Sequence, residues 1–217
     1  MNIVKINYKS ILPSILIIIL SVYCAIIIPY FGLLAPFFGG LISLILMFGK
    51  KQTFQLLKPM NRPFLIKLVY FFLLAFLIRL VLVSVAVIFD FGNISSIPSN
   101  GYVDNLTYIN MFKKIVLMLL LLLSMIGEEL VVASITLPVY YFLKKIKYGW
   151  GISIIIGSLV FSFIHLYAYD FNIWVCLTVG LSHIPMAQAW KSTNSLRGGM
   201  YIHILYNMIS IVPTLFF

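Results

Sequence analysis

Long apolar runs occupy most of this chain, separated by little but short polar or basic segments. They fall at about 11–30, 32–49, 64–89, 113–143, 150–168, 171–190 and 199–217. An unbroken apolar run of roughly 18 residues or more is long enough to cross a bilayer as an α-helix. None of the runs has the period-two alternation of a membrane β-barrel strand. Only 9% of the 217 residues are charged, against 63% apolar, whereas about a quarter charged is usual for a soluble domain. Such a chain cannot cover its apolar surface with polar groups, so the bilayer is its natural solvent. The expectation is an all-α, polytopic membrane helical bundle of about seven transmembrane helices, with residues 1–217 forming a single membrane domain. The first run is too long for an ordinary signal-peptide core, and no clear small-x-small cleavage site follows it. It therefore reads as a retained anchor. Cys24 and Cys176 both lie inside runs without a CxxC pairing, which suits buried apolar thiols rather than a disulfide.

The formal net charge of +10 could suggest a nucleic-acid partner, but its distribution argues for a membrane topology and against nucleic acid. Lys5 and Lys9 precede the first run; Lys50, Lys51, Lys58, Arg62 and Lys67 lie between the second and third; Lys144, Lys145 and Lys147 follow the fourth; Lys191 and Arg197 lie between the sixth and seventh. Every second connection is basic, which places those connections and the N-terminus in the cytoplasm of a multi-pass protein of the cell membrane. Lys113 and Lys114 begin the fourth run and can reach back to the outer interface. Arg79 is the one basic residue in a run interior, where it would pair with a carboxylate or extend to the interface. The polar segment 90–108 reads as an outer loop. Its two glycosylation-type triplets, at 93–95 and 105–107, are short enough to arise by chance.

Of five acidic residues, Asp90, Asp104 and Asp170 belong to outward loops or their edges. The other two, Glu128 and Glu129, are adjacent in "SMIGEELVV", deep inside the fourth run. Each charge at such a depth costs about 2.5–3.5 kcal/mol on insertion scales, which makes an acid there a functional-site candidate. Partners should come from other spans. The three histidines all lie in the last three runs. His165 follows Phe161 by four residues in "FSFIH", and Asn207 follows His203 by four in "HILYN". Residues at i and i+4 share a helix face, so His203 and Asn207 point into one volume. His183, alone in "GLSHIP", reads as an interhelical hydrogen-bond partner.

This constellation allows a hydrolase without a serine or cysteine nucleophile. A carboxylate in a partly dry cavity can take a proton from water. An imidazole can orient that water or carry the proton, and an imidazole or amide N–H can hold the oxyanion formed at a peptide carbonyl. The alternative is a metal site with one Glu and two His, Glu128, His165 and His203, as ligands of a zinc ion. No HExxH pattern is present, and spacing alone does not separate the two chemistries.

The ordered set "EELVVA", "FSFIH", "STNSL" and "HILYN" resembles the CPBP family of intramembrane proteases, which covers CAAX prenyl proteases and bacteriocin-processing enzymes and is also called Abi. The family hallmarks are EExxxR, FxxxH and HxxxN/D on successive spans. The resemblance spans about residues 120–210, the candidate catalytic core. It implies that Glu128 activates a water, that Glu129 supports it, that His165 and His203 bind and orient the water or the intermediate, and that Asn207 helps hold the oxyanion. It also implies a glutamic mechanism with no cofactor. The family arginine would fall at position 133, which here is Ala133. Arg79 could supply the missing counter-charge to Glu129 from the third run.

The expected function is an endopeptidase acting on a membrane-associated peptide or small membrane protein. The Ile, Lys, Asn and Tyr content suits an AT-rich, low-GC bacterium, where the resemblance implies bacteriocin or pheromone maturation or self-immunity. The alternative carried by Ala133 is a non-catalytic relative, acting as a membrane scaffold, an immunity protein or a regulator of a sensor kinase through a membrane-protein partner. Intramembrane Glu and His also serve proton-coupled transporters, but no repeated half with paired broken helices is present. One geometric demand follows from the hydrolase reading. Counting about 1.5 Å per residue separates His165 and His203 too widely for one site, unless a segment such as 166–172 or 191–199 turns inward to line the cavity.

Overall fold

The computed structural model describes residues 5–89, 91 and 110–216, so the polar segment 90–108, apart from Phe91, and its triplets lie outside the described residues. Among the described residues every regular element is helical: α1 (Ile11–Ile27), α2 (Ala35–Phe48), α3 (Lys50–Leu56), α4 (Phe64–Ile88), α5 (Met111–Leu143), α6 (Gly149–Ile164), α7 (Ile173–Thr193) and α8 (Arg197–Phe216). Short 3-10 turns occupy Tyr8–Ser10, Phe31–Leu34 and Tyr167–Tyr169. Each of the seven apolar runs contains a helix. Four helical stretches, Tyr8–Ile27, Phe31–Phe48, Phe64–Ile88 and Met111–Leu143, are long and apolar enough to cross a membrane by length and composition, while Gly149–Ile164 is apolar but shorter. The chain is thus a helical, multi-pass membrane bundle. Its helices begin and end on familiar signals: Asn110 and Asn172 accept backbone N–H bonds from Lys113 and Val175, and Asn194 ends α7 in the left-handed region at φ 55°.

Neighbours in the bundle run α1, α2, α5, α6, α7, α4, and α8 packs against α4, α5 and α7. Small residues set the closest approaches, as in helix pairs that cannot rely on water to drive them together. Ser14 and Ser43 each donate to the other's carbonyl at 3.3 and 3.1 Å, joining α1 to α2. Gly40 lies against Leu130 and the Val131 backbone, and a Cβ at Gly127 would strike the backbone of Phe37. α2 and α5 therefore touch backbone to backbone one residue before Glu128. Gly157 meets Thr136 of α5, and Gly180 of α7 meets Ser158 and Ser162 of α6.

The basic connections gather at one end of the bundle. Asn7 N–H donates to Met47 at 2.8 Å, and Tyr8 lies 6.4 Å from Tyr141. Lys191 faces Trp150 at 5.6 Å. The turn from α7 to α8 is sunk beneath this end. Ser195 and Leu196 are fully buried and are roofed by the 56–61 backbone: Leu196 N–H donates to Leu56 (2.9 Å), Asn61 N–H to Thr193 (3.0 Å), Ser195 Oγ to Lys58 (2.5 Å) and Arg197 Nε to Leu57 (2.6 Å). Consequently α8 starts inside the bundle.

The helix-to-helix seat at Gly40 gives the first testable outcome. Gly40→Val forces α2 away from α5 at the turn that carries the glutamates, and overpacking of this kind costs about 1–3 kcal/mol. The expected result is a thermal midpoint several degrees lower in detergent. Gly151→Ala, where a Cβ meets nothing within 4 Å, is expected to leave the midpoint unchanged or slightly raised.

Candidate active site

Four helices bring polar side chains to one place in this apolar bundle. α5 contributes Glu128 and Glu129, the end of α6 contributes His165, α7 contributes His183 and Trp190, and α8 contributes His203; the half-buried Asn207 lies one turn further along α8. The two glutamates have different surroundings. Glu129 has no exposed surface. Its Oε1 accepts from His183 Nε2 at 2.7 Å and from His203 Nδ1 at 3.1 Å, and its Oε2 accepts from Trp190 Nε1 at 2.8 Å. Glu128 keeps 22% of its side chain exposed, and His165 keeps 18%. The Glu128 Oε1 atom accepts from Ser124 Oγ at 3.3 Å. Its Oε2 atom lies 3.7 Å from His165 Nε2 and 3.7 Å from His203 Nε2. Those two separations are too long for direct hydrogen bonds and suit a bridged contact.

Adjacent residues on a helix point about 100° apart, so one glutamate can face the α7–α8 interior while its neighbour faces the cavity beside α6. Phe161, the aromatic of "FSFIH", is the packing post of the site. Its ring lies 4.5 Å from His183, 4.4 Å from His165 and 5.6 Å from His203, and its carbonyl accepts from His165 Nδ1 at 2.8 Å. The separation of His165 from His203 anticipated along the helices does not arise, for two reasons. α6 stops at Ile164, and residues 165–172 lead into α7 through a compact turn. The recessed 194–196 turn starts α8 deep enough for His203 to reach Glu128.

The structure thus brings together Glu128, Glu129, His165 and His203, with Asn207 on the next turn of α8. Arg79 is placed elsewhere than on Glu129. Its guanidinium lies 6.0 Å from the Tyr206 ring centroid and also engages Tyr169, while among the described residues no carboxylate lies within ion-pair distance of it. Ala133, one turn beyond Glu129, is fully buried in the main apolar core. Trp190 was not anticipated from the sequence, because an indole in an apolar run reads as packing. The available signal was its place seven residues after His183, two turns along the same face. Among the described residues no group of three or more His, Cys, Asp and Glu is arranged to hold a metal ion.

Residues 110–209 match the family model described as type II CAAX prenyl endopeptidase Rce1-like. Over this stretch, a little under half of the chain, it is similar to the CPBP family. That family is one of CAAX-type intramembrane proteases, and the match contains all the side chains just described except Arg79. No curated protein and no solved structure matches the chain.

Within the matched region a close backbone approach bears on the site. A Cβ on Gly199 of α8 would press on Trp190 Nε1 and on Glu129 Oε2. Gly199→Val is therefore expected to break the indole–carboxylate bond and lower stability by about 1–3 kcal/mol. Tryptophan emission in detergent, shifted to the red together with a lower melting midpoint, would register the displacement.

Proposed function

We propose that this protein is an intramembrane endopeptidase in which Glu128 activates a water molecule to hydrolyse a peptide bond in a membrane-associated peptide or small protein. The observation that carries the reading is the meeting of Glu128 Oε2 with His165 Nε2 and His203 Nε2, each at 3.7 Å. The Phe161 carbonyl can only accept, so His165 Nδ1 bears the hydrogen, and in the neutral ring a bare Nε2 faces Glu128. His203 gives its Nδ1–H to Glu129, so in its neutral form the Nε2 turned toward the same carboxylate oxygen is bare. A donor belongs between such atoms, and a water, with two O–H groups to give, can serve the carboxylate and one of the two rings.

The chemistry then follows from the donors. Water donates to Glu128 and to one imidazole, and its own lone pair is left for the scissile carbonyl carbon. As the new C–O bond forms, Glu128 takes the proton, and the carbonyl oxygen becomes an oxyanion. Asn207, one turn from His203, supplies an amide N–H to that oxygen. The C–N bond breaks as the proton held by Glu128 passes to the leaving amine. Glu129, saturated by three donors, positions His203 and does not exchange protons with substrate. No step runs through a metal ion.

In this reading the basic end of the bundle faces the cytoplasm of the cell membrane, and the substrate is a peptide precursor such as a bacteriocin or pheromone. Ala133 supports a second reading, a non-catalytic family member that binds a membrane partner. Glu128→Gln separates the two. In proteoliposomes supplied with membrane-inserted peptides, the variant is expected to lose about 10²–10⁴-fold in cleavage rate, the usual range for a general base. A folded Glu128→Gln protein that retains the wild-type cellular effect would favour the scaffold. Incubation with EDTA or 1,10-phenanthroline is expected to leave the wild-type rate within twofold, and abolition reversed by added zinc would contradict the metal-free route.

A further inference from the structure

We propose that His183, with Trp190 beside it, is the positioning residue that stands in for the arginine missing at position 133. The inference rests on the hydrolytic reading above and extends it to α7, whose residues lie outside the three motifs. A glutamate one turn before an arginine would be held by its own helix. Here that next turn carries Ala133, buried in the apolar core with no donor to offer. The donors come from the neighbouring helix instead. His183 and Trp190 are both fully buried, and they take different oxygens of Glu129 at 2.7 and 2.8 Å. Gly199 leaves the room for the indole to reach the carboxylate.

The replacement changes the chemistry of the support. His183 Nδ1 is buried without a hydrogen-bond partner, and its ring lies against Phe161. A bare acceptor nitrogen tolerates that environment better than an orphaned N–H of an imidazolium would. His183 is accordingly a neutral ring that donates through Nε2. An arginine would place a permanent cation on Glu129. A neutral donor fixes the carboxylate without cancelling its charge, so Glu129 Oε1 remains a strong acceptor for His203 Nδ1–H. The tautomer of His203, and hence the bare Nε2 turned toward Glu128, is set from α7 through Glu129. This resembles the carboxylate partners that fix the ring tautomer of histidines at other polar sites.

The chain has 3 histidines, so ring-¹⁵N histidine labelling in lipid nanodiscs reads each tautomer directly and needs no substrate. In the wild type, His203 is expected as the Nδ1–H form. His183→Leu is expected to shift His203 toward a mixture with the Nε2–H form and to lower kcat tenfold or more, with KM within twofold. His183→Gln, whose amide can donate to the same carboxylate, is expected to restore both. Trp190→Phe keeps most of the ring packing and removes one donor, so a smaller shift of the same kind is expected. Unchanged His203 resonances in His183→Leu overturn the proposal, and so do unchanged resonances in Trp190→Phe should His183→Leu fail to fold. A His183→Gln protein as impaired as His183→Leu overturns it too. The expected shifts in a protein that cleaves nothing would keep the positioning role and remove hydrolysis.

Discussion

The site is organised around one buried carboxylate. Glu129 has no contact with solvent, and an ionised group sunk in an apolar bundle is tolerated only when its lone pairs are matched. Three donors from two other helices match them. The same contacts fix how α5, α7 and α8 stand relative to one another, because each donor must arrive at its own oxygen. Once α8 is fixed in that way, His203 has its second nitrogen directed at Glu128. The adjacent glutamates therefore divide the work: one is locked in a dry network, and the other stands partly open beside two imidazoles.

Packing supplies the rest of the geometry. Gly127 and Gly40 let α2 and α5 touch through their backbones next to the glutamate pair, and Gly180 lets α7 sit on the serines of α6. The sunken turn at 194–196, held by backbone and side-chain bonds to residues 56–61, begins α8 inside the bundle. That recess reconciles a helical span with a histidine only two turns from its start reaching the middle of α5. The exposed surfaces of α1 and α4, rich in Leu, Ile, Val and Phe, have the character of lipid-facing walls rather than of a site.

Much of this was legible in the chain. Apolar run length located the helices, since burial in lipid leaves no other way to satisfy the backbone. Two carboxylates in the fourth run stood out because charge there is costly, and four-residue spacing placed Phe161 with His165 and His203 with Asn207. What was not legible depended on contacts between helices. The inward course at 191–199 followed from the need to unite the motifs, but the covering role of 56–61 has no marker in local sequence. His183 read as a hydrogen-bond partner, which it is, yet nothing local named Glu129 as the acceptor. Arg79 was the obvious candidate for a counter-charge because it is the one cation in a run interior, but helix rotation sets it among Tyr169 and Tyr206. Run length also overstated α6, whose 16 residues end before the apolar stretch does.

The central claim is that Glu128 Oε2, His165 Nε2 and His203 Nε2 share one water. A high-resolution crystal structure in a lipid phase, with anomalous data across the zinc edge, tests it most directly. The account predicts one peak of water strength, without anomalous signal, at about 2.7–3.0 Å from Glu128 Oε2 and from one of the two imidazole nitrogens. An anomalous peak at about 2.0–2.1 Å from the three atoms, or a Glu128 carboxylate turned away toward lipid with no shared peak, would contradict it.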